Sequence, residues 1–244
     1  MPFRSDAQNG CGEGRRMTHS STLIETLTPP IQELANAFWP PACLSCDALG
    51  QSPFCLPCEN ALLHAESSPQ QNTHHHLGSL WLYGGPLSLA FAKTKFSKQP
   101  HQMKKLLSWL VQQGFLEKHR DLFQQHPWDA ISWVPAHPYR RLQRGFNAAQ
   151  LLAIILGKRM QLPLFSSLKC VRNDAPFSLG SSKAVRQKNI QGRYRAHPKA
   201  RKRKILLVDD ICTTGATLGE ASKQLALAGA AVHTFTLAQT PKNN

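Results

Sequence analysis

Acidic residues are scarce in this sequence: 14 Asp and Glu stand against 29 Lys and Arg, a formal net charge of +15 over 244 residues. Long apolar runs are missing as well. Blocks such as Leu151-Leu152-Ala153-Ile154-Ile155-Leu156 fall far short of the ~20 residues that a bilayer-spanning helix needs, which excludes a membrane span. The N-terminal MPFRSDAQNGCGEGRRMTHS has charges but no apolar stretch behind them, so it does not read as a secretory signal and a cytoplasmic location is expected. No GxxxxGK(S/T) occurs, which excludes a P-loop nucleotidase, and there is no internal repeat. Core material is not lacking. With 41% hydrophobic residues the chain has enough to bury, and wholesale disorder is excluded.

The charge is unevenly placed. Residues 1–100 hold six basic and seven acidic residues, whereas 101–244 hold 23 and seven. Between 138 and 204 there are 17 basic residues and a single acid, Asp174. Such a density repels itself unless polyanions come to it: phosphate, pyrophosphate or nucleic acid.

Composition divides the chain. Residues 1–38 read as a flexible, partly helical extension, broken at Pro29-Pro30; 39–65 hold a cysteine cluster; 66–80, with ESSPQQNTHHHLG, read as a linker; 81–240 read as the globular domain. Within that domain Trp81–Tyr83, Ala130–Val134, Lys204–Val208 and Ala231–Leu237 are strand-like. Helical spacing covers Pro86–Phe96, His101–Phe123, Ala148–Met160 and Ala216–Ala228, with Leu106, Leu107, Leu110 and Phe115 among the buried candidates. The stretch between Val134 and Ala148 reads as a basic loop. Strands alternating with helices need crossover connections, so the expected fold is α/β, a mainly parallel sheet flanked by helices.

The most informative segment is Ile205-Leu206-Leu207-Val208-Asp209-Asp210-Ile211-Cys212-Thr213-Thr214-Gly215-Ala216-Thr217. Four apolar residues in a row fit a strand buried on both faces. Two carboxylates then fall at its carboxyl end, where open parallel sheets place ligands. A hydroxyl-rich loop with one glycine feeds a helix start, where free amides and the helix dipole favour an anion. Carboxylates cannot bind phosphate, but they accept hydrogen bonds from vicinal hydroxyls, so the combination suits a ribose phosphate.

VDDICTTGAT closely resembles the phosphoribosyl pyrophosphate motif of type I phosphoribosyltransferases. Upstream, Val134-Pro135-Ala136-His137-Pro138-Tyr139-Arg140-Arg141-Leu142-Gln143-Arg144-Gly145-Phe146-Asn147 resembles the VP…RRxxRGFNQ element of the ComF/GntX family, which also carries a cysteine module before the domain. The resemblance implies a type I phosphoribosyltransferase-like fold with Asp209 and Asp210 on the ribose hydroxyls. Thr213, Thr214, Gly215, Ala216 and Thr217 would hold the 5′-phosphate, and Arg140, Arg141 and Arg144 would face the pyrophosphate. It implies Mg²⁺ with the ligand and, more weakly, roles for Arg186 and Asn189. The family's Gln is absent from Ala175-Pro176-Phe177-Ser178-Leu179, and the chain has His74-His75-His76 where relatives carry a further CxxC pair.

Cys43-x2-Cys46 and Cys55-x2-Cys58 place four thiols in two CxxC knuckles, the spacing that closes a tetrahedral Zn²⁺ site with no open position, hence structural. Cys11, Cys170 and Cys212 read as bystanders. Two functions remain open at this stage. One is a Mg²⁺-dependent phosphoribosyl transfer that releases pyrophosphate, in a protein of DNA uptake and utilisation. The other is non-catalytic binding of the ligand or of single-stranded DNA, with DNA-processing proteins as partners.

Overall fold

A computed structural model of the chain describes residues 40–64, 76–97, 99–115, 127–172 and 190–241. All the elements below belong to one compact unit, Pro41–Asn244. The extension, Arg186, Asn189, the Ala175–Leu179 stretch and Cys11 lie outside the described residues.

Helix α1 (Leu56–His64) follows the cysteine loops. Strand β1 (His76–Leu82) leads to α2 (Gly85–Phe96) and α3 (Pro100–Phe115), then β2 (Ala130–Trp133), α4 (Pro138–Arg144) and α5 (Ala148–Met160). A hairpin of β3 (Leu168–Cys170) and β4 (Tyr194–Ala196) precedes β5 (Lys204–Cys212), α6 (Ala216–Leu227) and β6 (Ala231–Gln239). The main sheet runs β1–β6–β5–β2 with every pairing parallel, and β3–β4 forms a separate antiparallel pair. The expected parallel sheet flanked by helices is the one observed.

Strand β5 is central because its sequence leaves no polar face to expose. Ile205, Leu206, Leu207 and Val208 are all fully buried. Side chains alternate along a strand, so Leu206 and Val208 join the core under α2, α3 and α5, while Ile205 and Leu207 join the core under α6 and the hairpin. Leu106, Leu107 and Leu110 of α3 sit in the first core as expected, and Trp81 of β1 donates its indole N–H to the Leu110 carbonyl at 3.1 Å.

Three readings change. His76–Leu80 belong to β1 rather than to a linker, and His76 Nδ1 lies 2.9 Å from Thr234 Oγ1 across the sheet. The basic loop contains α4, capped by His137 at its start and by left-handed Gly145 (φ 78°) at its end. Strand β5 runs four residues past Val208, through both acids to Cys212. Helix α3 is described to Phe115, and the remainder of the expected helix, to Phe123, lies outside the described residues.

Gly157 on α5 gives a direct test of this packing. A Cβ there would meet Ile131 Cγ2 and the Leu162 carbonyl oxygen, each at 3.1 Å. Ile131 is fully buried in β2, and Leu162 is tied back by its own amide to the Gly157 carbonyl at 2.9 Å, so neither neighbour can give. Alanine in a helix interior normally gains about 1 kcal/mol over glycine. Here overpacking outweighs that gain, and Gly157→Ala is expected to lower unfolding stability by about 1–2 kcal/mol in urea melts.

Candidate functional site

The site is built at the carboxyl end of β5. Continuing the strand's alternation, Asp209 follows Ile205 and Leu207 toward the hairpin face, and Asp210 follows Leu206 and Val208 toward α2. Asp209 folds back so that its Oδ1 accepts the Asp210 amide at 2.9 Å. Both side chains are half-buried. Asp210 Oδ2 is met by Lys95 Nζ of α2 at 2.6 Å, with only 16% of the lysine and 17% of the aspartate side chain exposed.

That contact splits the two acids. Burial pushes the Asp210 carboxyl up, but the Lys95 ammonium, by charge and hydrogen bond, overrides it and holds the group below the ordinary carboxylate range. Burial, then the charge and hydrogen bond of Asp210, push the Asp209 carboxyl well above that range. Adjacent acids in one low-dielectric corner are therefore driven apart, Asp210 toward the carboxylate and Asp209 toward the carboxylic acid.

The loop beyond β5 is held open. Thr240 at the end of β6 donates its amide to the Cys212 carbonyl at 3.0 Å and its hydroxyl to the Thr213 carbonyl at 3.1 Å. Gly215 takes a left-handed conformation (φ 74°) as the N-cap of α6, with no side-chain cap. Among the described residues the amides of Thr213, Thr214 and Gly215 donate to nothing, and the Ala216 amide reaches only the Thr214 hydroxyl at 3.4 Å. Thr213 and Thr214 are exposed, while Gly215, Ala216 and Thr217 are half-buried. These free N–H groups at a helix start are the donors an anion needs.

Helix α4 faces the acid pair with unequal commitment. Arg144 is half-buried; burial, then the charge of Arg140, hold its guanidinium below the ordinary value, while Asp210 pulls the other way. Arg140 and Arg141 are exposed, and among the described residues no hydrogen bond or ion pair ties Arg141 to the acids. The rest of the VP…RGFN element is explained by backbone needs. Gly145 supplies the left-handed turn, and Phe146 is buried. Asn147 caps α5 by accepting the Ala149 amide at 3.0 Å and donates to the Val134 carbonyl at 3.0 Å, fastening the turn to the end of β2.

Sequence reasoning missed Lys95, Tyr83 and Tyr194. Burial first, then Asp210, push the Tyr83 hydroxyl up; burial first, then Asp209, do the same to Tyr194. All three come from elements remote in sequence, and nothing local marks them.

The second cluster is Cys43, Cys46, Cys55 and Cys58, whose sulfurs lie within 4.8 Å of one another and could hold a metal ion. Tetrahedral zinc thiolate sites need sulfurs about 3.8 Å apart, so the donor set fits with little rearrangement. Cys46 Sγ and Cys55 Sγ are 3.5 Å apart, and the Ser45 amide donates to Cys43 Sγ at 3.4 Å. Burial raises the Cys43 thiol, but amides of Cys46, Cys55 and Ser45 outweigh it and hold the group at about 6, a ready thiolate; burial pushes Cys58 up to about 12. Cys43 and Cys55 are buried in the main core beside Phe54, whose ring packs edge-on against Trp109 of α3 with centroids 5.0 Å apart. Cys170 and Cys212 lie apart from the cluster.

No protein-family model matches the chain. The DNA utilization protein YhgH of Salmonella typhimurium is 30% identical over 177 residues, covering 72% of this chain and 74% of that protein. Competence protein F of Haemophilus influenzae is 29% identical over 146 residues, 59% of this chain. The chain spans 63% of the length of that relative and 65% of other curated relatives it matches. Among solved structures, an orotate phosphoribosyltransferase from Aeropyrum pernix is similar at 17% identity and a TM-score of 0.34, over 59% of this chain and 63% of that one. With the Salmonella protein matched over nearly three quarters of its length, the chain belongs to the family of the DNA utilization protein YhgH and competence protein F, the ComF family.

Proposed function

We propose that this protein binds phosphoribosyl pyrophosphate, or a closely related ribose phosphate, at the end of β5, in the service of DNA uptake or utilisation. One observation carries the reading: a half-buried acid pair is followed at once by a loop whose amides are free and which opens a helix. A sugar with vicinal hydroxyls donates to the carboxylate of Asp210 and meets the acid of Asp209, while its 5′-phosphate accepts from the amides and hydroxyls of Thr213 to Thr217. Arg144, with Arg140 behind it, faces the pyrophosphate with positive charge. Mg²⁺ would be brought in with the ligand and would offset charge on the pyrophosphate beside Arg144 and Arg140. The relatives' names point to competence and DNA utilisation, and the site supplies the small-molecule half of that role. Zinc is the metal that four thiolates in two CxxC knuckles fit best, as a closed structural site.

Calorimetric titration with Mg²⁺–phosphoribosyl pyrophosphate tests the reading. Binding is expected, with loss of measurable heat in Asp209→Ala/Asp210→Ala and when Mg²⁺ is withheld. Full affinity in the double variant would refute the site. Turnover is a separate question, answered by assaying pyrophosphate release across candidate bases.

A second reading has its own observation. On the β3–β4 hairpin Lys169 pairs directly with Arg195, both exposed, and exposed Lys199, Arg201 and Lys202 follow β4 in the chain. Like charges opposite one another on a sheet are destabilising unless an anion lies across them. A nucleic-acid backbone suits this face, and Lys169→Glu/Arg195→Glu is expected to weaken single-stranded DNA binding at low salt at least tenfold while leaving ligand binding intact.

A further inference from the structure

Lys95 is placed with unusual care for a surface-helix lysine. Its ammonium contacts Asp210 at 2.6 Å and lies 5.0 Å from the centroid of the Phe91 ring on the same helix. Helix α2 has little freedom to carry it elsewhere. Leu87, Ala90 and Phe91 are fully buried. Lys93, two residues earlier and so on the other side of the helix, donates to the Ser45 carbonyl at 2.8 Å and to Asp47 at 2.5 Å in the cysteine loop. Among the described residues, the charged and titratable groups around the acid pair include Lys95 from α2, Arg144 and Arg140 from α4, Tyr83 beyond β1 and Tyr194 from β4.

An acid pair beside a phosphate loop would ordinarily invite a divalent cation. Here the contact position on Asp210 is filled by an ammonium that the fold delivers. We propose that Lys95 is the resident cation of the acid pair: it neutralises Asp210 in the free protein, keeps divalent ions off the carboxylates, and leaves Mg²⁺ to enter only on the pyrophosphate of the ligand. The inference rests on reading the site as one for a ribose phosphate, and it adds the residue that decides where the metal goes. The opposite displacements of the two carboxyls agree with it: the ammonium offsets the charge of Asp210 and occupies its Oδ2, while Asp209 is biased toward its uncharged form.

The test needs no organic ligand. Mn²⁺ is titrated into the zinc-loaded full chain and the free ion is counted by electron paramagnetic resonance. The wild type and Lys95→Arg are expected to bind no Mn²⁺ that depends on Asp210. Lys95→Met should gain one Mn²⁺ site, on the order of tenfold or more tighter than anything in the wild type, and Lys95→Met/Asp210→Asn should lose it again. In the unmodified protein, the ¹⁵N signal of the Lys95 ammonium should stay sharp as Mn²⁺ is added, which settles the matter even if Lys95→Met does not fold. Wild-type Mn²⁺ binding abolished by Asp210→Asn, broadening of the Lys95 signal, or a folded Lys95→Met with no new site would each overturn the proposal. Failure of Mg²⁺–phosphoribosyl pyrophosphate to bind in calorimetry, with the Mn²⁺ results as expected, would instead overturn the ligand and leave Lys95 in its role.

Discussion

Removing the metal from the cysteine cluster is expected to cost this protein more than any other single change. Purified protein should contain one zinc per chain, and Cys46→Ser or Cys55→Ser should release it. The reason is where the sulfurs sit. The loops 41–55 are held by few backbone bonds, among them Cys43 N to the Ala48 carbonyl and Leu44 N to the Pro53 carbonyl, both at 2.8 Å. Four thiolates around zinc fix both loops at once, and structural zinc is worth roughly 10 kcal/mol or more in small domains. Cys43, Leu44, Phe54, Cys55 and Leu62 also form part of the core that continues under α2 and α3, so losing the knuckles opens that core. The Lys93 bonds to Ser45 and Asp47 would go with them, loosening α2 and the Lys95 contact. We expect chelation to lower stability by at least ~5 kcal/mol, read as a collapse in melting temperature. Cys170→Ser, outside the cluster, should leave both zinc content and melting unchanged. A metal-free chain with the melting curve of the loaded one would end the zinc assignment.

What the sequence made legible follows from what is local. The β5–loop–α6 unit could be read because its apolar run, acids, glycine and helix follow one another without a break, and the order of chemistry along the chain is the order in space. Leu106, Leu107 and Leu110 were legible for the same reason, since a helix repeats its buried face at fixed spacing. Helix α4 was not, because none of its residues is buried and apolar periodicity is silent about it; its signals are only the His137 cap, Pro138 and Gly145. The β3–β4 hairpin escaped because three-residue strands are too short to show alternation. Asp209 and Asp210 read as equivalent neighbours, and the structure makes them unequal. No pattern near them could have told this, since the difference is made by a lysine on another helix and by burial under a hairpin.

That inequality predicts opposite consequences for two substitutions one residue apart. Folding raises the Asp209 pKa, so Asp209→Asn keeps a neutral hydrogen-bonding group without the cost of protonating it on folding; the variant should match the wild type near pH ~4 and become the more stable of the two as pH rises. Asp210 is the carboxylate that pairs with Lys95, and Asp210→Asn removes that partner. Asp209 can then ionise in its place, so the single change recovers part of the loss. Only Asp209→Asn/Asp210→Asn strands the half-buried ammonium, at about 3 kcal/mol, more than the two single effects added together. Lys95→Met on that background should restore most of it. The pH dependence separates the two acids further. Because folding lowers the Asp210 pKa, its contribution is present above the ordinary carboxylate value near ~4 and is lost as pH falls through the folded value. Because folding raises the Asp209 pKa, its contribution is complete below ~4 and drains away as pH rises toward the folded value. Wild-type stability should therefore decline with pH across the range where Asp209 is protonated only in the folded state, and Asp209→Asn should flatten that decline. Urea melts between pH 4 and 9 read both slopes. An Asp209→Asn variant that keeps the full decline, or that costs as much as the double change, would mean the proton does not reside on Asp209 and that Lys95 serves both carboxylates alike.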